Sequence, residues 1–283
     1  MNVAGPRTLH ARVLFVLAIS TAVPFLKAST NASAPSAADI IKRSVATNEQ
    51  DWKAQPEYSY REQDTKGKMV NGHLKPAQSR TYEVMMIDGT PYNRLIGVNN
   101  EPLSPAQQKQ EQSKLVRETK RRQTESHSAK QARLSKYQNE RSEEHLLMQQ
   151  MVQAFNFKLA GEERLEGVDC YVLNANPKPT YRPPVERAKV LTGMRGRLWI
   201  DKSAFHWVKV QAEVISPVEF GLFIAKVKPG TRFELVQAPV GEMWLPKSFQ
   251  QSVKASVLGV YGLGSAEQDE YSDYQKTALS ARR

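Results

Sequence analysis

Cysteine is almost missing from this chain. Cys170 is the single one among 283 residues, which excludes a disulfide framework and every cysteine-rich zinc module. Histidine is nearly as scarce. His10, His73, His127, His145 and His206 are too scattered for a zinc signature, and neither His-Glu-x-x-His nor a Gly-rich phosphate loop occurs. Long hydrophobic runs are absent as well. The best one, Val13 to Leu26, contains Pro24 and falls short of the roughly 20 residues that a membrane-spanning helix needs.

What the first residues do contain is an address. Arg7 and Arg12 precede that apolar run, and small residues follow at Ala28, Ser29, Ala32, Ser33 and Ala34, the order of a secretory signal peptide. The spacing predicts cleavage at residue 28, or as late as 34, and a soluble exported product in the periplasm. No cysteine lies nearby to carry a lipid anchor. The remainder, 35–283, reads as one domain.

Charge is uneven. Lys and Arg total 40 against 29 Asp and Glu, a formal +11. Much of the excess sits between Pro105 and Lys136, where nine bases meet only Glu111, Glu118 and Glu125. This window lacks aromatics and has few large aliphatics, so it buries little surface by itself. Ser104 and Pro105 form a good N-cap and N1 pair, and the stretch is read as an inserted basic helical arm, solvated and partly frayed. Such an arm could meet an anionic membrane or an envelope partner. Nucleic acid is disfavoured because no aromatics interleave and because it conflicts with export.

Around the arm the pattern has period two. A helix over Ser36 to Gln50, with Ile40, Ile41 and Val45 on one stripe, precedes strands at 58–66, 80–87, 92–98, 155–165 and 168–174. Further strands follow at 197–201, 206–215, 220–227, 231–238, 243–257 and 266–274, joined by brief turns that imply antiparallel neighbours. A second helix, from about Glu143 to Ala154, carries Leu146, Leu147, Met148, Met151 and Val152. The sheet's apolar face must be covered. The two helices supply that cover, so the fold class is α+β: a curved antiparallel sheet forming an unclosed barrel, with helices as lid or plug.

The stretches Gly196-Arg197-Leu198-Trp199-Ile200-Asp201, Gly230-Thr231-Arg232-Phe233, Trp244-Leu245-Pro246 and Tyr271-Ser272-Asp273-Tyr274 resemble the C-terminal half of bacterial outer-membrane lipoprotein-sorting proteins, the LolA-like and LolB-like carriers. Pro91 to Ile96 and Glu101 to Ser104 resemble a stretch of larger, uncharacterised relatives. The resemblance implies an unclosed barrel with a helical lid over an apolar cavity that binds lipid-linked cargo without a cofactor. On that reading Val208, Val210, Phe220, Leu222, Phe233 and Leu235 share one concave face, opposed from the lid by Leu147, Met151 and Phe155. The cargo is a lipid or an acylated protein. The alternative is an envelope-stress sensor of the same fold that binds a partner protein.

Catalysis has little support in the sequence. Cys170 alternates with Val168 and Val172 as a small buried hydrophobe, and the Glu162-Glu163 and Glu143-Glu144 pairs diverge on strand and helix. No catalytic, metal or cofactor site is expected. Trp199, Trp207 and Trp244 are read as outer-face packing or cross-strand partners rather than cargo contacts, and His206 as an ordinary packed or exposed imidazole beginning a strand.

Overall fold

The computed structural model describes residues 35–71, 73–221, 225–257 and 261–277. The signal-peptide reading and Leu222 therefore lie outside the described residues.

Helix starts are set by serine. Ser36 caps α1 (Ala37–Ala54) by accepting from the Asp39 amide at 3.1 Å. Ser104 and Gln107 form a capping box in front of α2 (Pro105–Thr124), and Ser126 accepts from the Ala129 amide to open α3 (His127–Ala154). The helix expected from Glu143 thus begins sixteen residues earlier, and the basic stretch is split between two helices by the extended Glu125 and Ser126.

Thirteen antiparallel strands make one sheet among the described residues. They are β1 (Tyr58–Val70), β2 (His73–Ile87), β3 (Thr90–Val98), β4 (Glu101–Pro102), β5 (Phe155–Leu165), β6 (Val168–Pro177), β7 (Met194–Asp201), β8 (Trp207–Val214), β9 (Val218–Phe220), β10 (Ala225–Val227), β11 (Arg232–Val240), β12 (Met243–Val257) and β13 (Tyr261–Lys276). The spatial order is β4-β3-β2-β1-β13-β12-β11-β8-β7-β6-β5, with β10 beside β12 and β9 beside β10. The two ends do not pair, so the barrel is unclosed. Tight turns at Asp88-Gly89 and Glu166-Gly167 have positive φ at both residues, the geometry that suits a two-residue hairpin to the strands' twist.

The expected strand over 220–227 is divided into β9 and β10, with Phe220 opposite Ala225. Gly221 has φ +59°, which turns the chain where an unbroken strand would stay extended.

The helix pair α2–α3 is docked rather than loosely solvated. Arg122, 7% exposed, donates to the carbonyls of Ile87, Thr90 and Pro91 at 2.8, 2.8 and 3.2 Å and to Thr90 Oγ1 at 2.9 Å. Arg133 donates to Asp88 O and Thr90 Oγ1, and Lys130 Nζ lies 2.8 Å from Asp88 Oδ1. Three basic side chains therefore clamp the β2–β3 turn. A Cβ at Gly89 would lie 2.8 Å from Leu134 Cδ2, so α3 also rests on that turn.

Candidate functional site

Cross-strand register defines the face beneath the helices. One row runs Leu159–Leu173–Leu198–Val210–Leu235–Phe249 from β5 through β6, β7, β8 and β11 to β12. Leu173 and Leu198 are 0% and 1% exposed. Above them, Ile40 and Ile41 of α1 and Leu147, Met148, Met151 and Val152 of α3 join one apolar cluster with Phe155, Phe157, Ile200, Trp207, Val210 and Phe233.

The two helices are held differently. α1 is pinned by buried polar bonds: Trp207 Nε1 donates to Ser44 Oγ at 3.2 Å, and Asp51 lies 2.7 Å from His206 Nδ1 while also accepting from the Trp244 amide. The C-terminal part of α3 presents Leu147, Met148, Met151 and Val152 only half-buried. Upstream of that stripe, buried Arg141 donates to the Trp52 carbonyl of α1 and His145 stacks on the Trp52 ring at 4.2 Å, and the ties further along are Arg187 to Glu143 at 2.8 Å and Tyr181 Oη to Gln150 at 2.9 Å, both from the segment before β7.

Of the residues expected to line a cavity, Leu147, Met151, Phe155, Val210 and Phe233 meet in this cluster. Leu235 continues its row opposite Val210. Phe220 is half-buried on β9. Val208 does not share the face. The ladder shifts there, with Trp199 opposite Lys209 but Ile200 opposite Trp207, so Val208 is the extra residue of a bulge. It packs with Cys170, Val172 and Trp199 against Trp244 on the reverse face. The same bulge turns Trp207 inward, against the outer-face expectation.

Beyond β12 the same face changes character. The row that ends at Phe249 continues through Asp269 of β13 to Asp64 of β1, and the next row passes from Phe233 through Gln251 and Glu267 to Lys66. Asp64 and Asp269 thus stand directly opposite each other. Asp64, Glu267 and Asp269 bring carboxylate oxygens within 4.8 Å of one another, yet Lys66 Nζ already sits 3.4 Å from Asp64 and 2.9 Å from Glu267. Lysine supplies the cation at this spot. Burial, with Asp269 and Asp64 nearby, pushes Glu62 up to about 7, and burial beside Glu267 pushes Asp269 up to about 6. Tyr271 and Tyr274 are raised mainly by burial too.

The reverse face carries a groove of about 760 Å³. Its walls are two polar rows, Asn174–Arg197–Gln211–Glu234–Gln250 and Arg195–Glu213–Arg232–Ser252, with Met69 also lining it. Arg195 and Arg232 both reach Glu213, at 3.0 and 3.4 Å.

Groups considered for chemistry are engaged elsewhere. Burial pushes the Cys170 thiol up to about 11, which leaves it protonated and inert. Glu163 accepts from Trp199 Nε1 at 2.7 Å and from Arg197, while Glu162 pairs with Lys202 at 2.6 Å. His206 is packed, as one form of the expectation had it, and links to α1 through Asp51, a partner its sequence neighbours did not reveal because Asp51 lies 155 positions away.

No protein-family model matches the sequence, and no curated protein matches it. Among solved structures, the chain is similar to a DUF1329 family protein from Desulfovibrio piger, at 11% identity over 87% of this chain and 95% of that one, with a TM-score of 0.32. A LolA superfamily protein from Nitrosomonas europaea gives 12% identity, 86% and 94% coverage and 0.30. An outer-membrane lipoprotein-sorting protein domain from Vibrio parahaemolyticus gives 11%, 84% and 94%, and 0.33. At such scores these likenesses concern general layout, and the fold assignment rests on the strand order above. No helix among the described residues is long and apolar enough to cross a membrane.

Proposed function

We propose that the protein is an exported, non-enzymatic carrier or presenter of a lipid or acylated protein, held between the apolar sheet face and α3. The observation that carries the reading is the unequal hold on the two covering helices. α1 is fixed by buried hydrogen bonds under the sheet's own side chains, whereas the apolar stripe of α3, Leu147 to Val152, is half-buried and the helix is anchored upstream of it, by Arg133 on the β2–β3 turn and Arg141 on Trp52. Met148 and Met151 suit a variable apolar partner, because unbranched thioether side chains repack readily. Each acyl CH₂ withdrawn from water contributes roughly 0.8 kcal/mol, so part of one chain gives useful affinity without a strong polar contact. Cargo would displace the last turns of α3 while α1 and the clamped first half of α3 stay in place.

Uptake of a fluorescent fatty acid, measured together with thermal unfolding, tests this. Met151→Glu is expected to abolish uptake with a small change in melting temperature, whereas Ile40→Glu unfolds the protein. A wild-type protein that takes up no amphiphile, with no lipid seen by native mass spectrometry, would remove the carrier reading.

One observation favours binding of a partner protein as a second reading. β5 ends the strand order and leaves one long edge unpaired among the described residues. Such an edge can accept a strand from another chain. Ala160→Pro at that edge would weaken such a complex and leave fatty-acid uptake intact.

A further inference from the structure

The groove on the reverse face is walled in part by polar side chains that the fold itself does not use. Asn174, Asn176, Gln250 and Ser252 line it, and none of the four has a side-chain hydrogen bond among the described residues. Arg197 Nε is buried without a partner, although the same guanidinium reaches Glu163 and lies 5.0 Å from the Trp199 ring centroid. Arg195 and Arg232 share Glu213, which engages one nitrogen of each fork and leaves the others open.

The β1–β2 hairpin roofs part of this floor. The row Arg195–Glu213–Arg232–Ser252 runs on through Ala266 of β13 to Gly67 of β1, and Ala266 is 2% exposed although it lies on this polar face. The β1–β2 ladder shifts between Lys66 and Gly67, where a Cβ on the glycine would lie 2.1 Å from Lys75 O. Such a bulge bends the hairpin, and Met69 just beyond it lines the groove with Asn174, Arg195 and Arg232. The result is a polar floor under an apolar roof. At about 760 Å³ the space has the size of a small-molecule site.

We propose that this groove is a binding site for a linear oligosaccharide, laid across β6, β7, β8, β11 and β12 beneath Met69. Hydroxyl groups donate and accept at once, which matches a floor that mixes amides, a serine, arginines and glutamates. An acyl chain would strip water from those groups and give them no partner. An extended peptide seeks an unpaired strand edge, and each of these five strands has a neighbour on both sides. Polyphosphates and other strong anions are disfavoured, because Glu213 and Glu234 leave the three arginines only one charge in excess. The polar row from Asn174 to Gln250 crosses four strand spacings, roughly 19 Å, so several linked sugars fit it better than one. Asn174 and Gln250 bind hydroxyls at its two ends, and Met69 packs on the C–H face of a ring. This face is the opposite one from that covered by α3, so the site is separate from the place of the proposed lipid cargo.

Isothermal titration calorimetry of the purified protein with chitotetraose and with cellotetraose tests the proposal. Saturable binding of at least one is expected. Asn174→Ala and Gln250→Ala should each weaken it about fivefold, the effect of one lost neutral hydrogen bond. Met69→Ala should weaken it too, by opening the roof. Melting temperatures should be unchanged in these variants, since the altered side chains have no hydrogen bonds to lose and lie exposed or half-buried. Met151→Glu should bind the sugar as the wild type does, and the groove variants should keep fatty-acid uptake, so failure of either reading leaves the other measurable. No heat of binding with either tetrasaccharide at millimolar concentration, unchanged affinity in Asn174→Ala/Gln250→Ala, or loss of sugar binding in folded Met151→Glu would each overturn the proposal.

Discussion

The two ends of this sheet are built on different physics. From β5 to β12 one face is aliphatic and aromatic and is sealed by α1 and α3, with Leu173, Leu198 and Ile200 almost wholly buried. From β13 to β3 the same face carries Glu62, Asp64, Lys66, Glu267 and Asp269, and the β2–β3 end is held by Arg122 and Arg133. Burial stabilises the first end without direction. In the second, each buried charge needs a specific partner, so stability there depends on individual bonds and on pH.

The largest expected effect lies in the apolar end. Leu198→Ala removes a side chain with no room to relax and should cost about 2–5 kcal/mol in urea unfolding. Arg122→Met should cost less, about 2–3 kcal/mol. It leaves the Ile87, Thr90 and Pro91 carbonyls without their donor and Glu118 without one of its two arginines. A loss in Arg122→Met exceeding that in Leu198→Ala would reverse the comparison.

Much of this was legible beforehand because local rules were obeyed. Period-two runs and the Asp-Gly and Glu-Gly turns place nearly every strand within a few residues, and Ser36 and Ser104 mark helix starts. Features set by distant contacts escaped. Val208 alternates with Val210 in the sequence, but a bulge whose only trace is a shifted ladder sends it to the reverse face. Arg122 looked solvated among other bases, since nothing local shows that it reaches three carbonyls more than thirty residues away. The acidic cluster depends on β1 pairing with β13, about two hundred positions later, and neither strand alone suggests that Asp64 faces Asp269.

The pH response sharpens the contrast. Glu62 is raised from 4.5 to about 7 and Asp269 from 3.8 to about 6, so the folded state holds protons that the unfolded state has released. Stability from these groups is fully present below their unfolded values and is lost as pH rises through about 4 to 7. Glu118 runs the other way. Hydrogen bonds from Arg121 and Arg122 hold it down to about 2, so its contribution is lost as pH falls below 4.5. From these groups, melting temperature should peak near pH 4 and decline as pH rises through 7. Glu62→Gln should flatten that decline and stabilise the protein at pH 8 by on the order of 1–2 kcal/mol. An unchanged slope in this variant would show that Glu62 is not the group responsible.

The smallest effect concerns how the helices begin. Ser36→Ala and Ser104→Ala each remove a cap worth about 1 kcal/mol in the helix concerned. α1 lies on the apolar end, where Ile40 and Ile41 are buried within its first turns, so fraying its start exposes core. Ser36→Ala should therefore lower global stability by most of that amount. α2 buries only Glu111 and Arg122 along its length, so its first turn can open while the β2–β3 clamp stays closed. Ser104→Ala should speed hydrogen exchange at Gln107 and Gln108 and barely move the urea midpoint. Equal shifts in that midpoint for the two variants would mean that α2 is as tightly coupled to the core as α1, and the division between the two ends of the sheet would not extend to their helices.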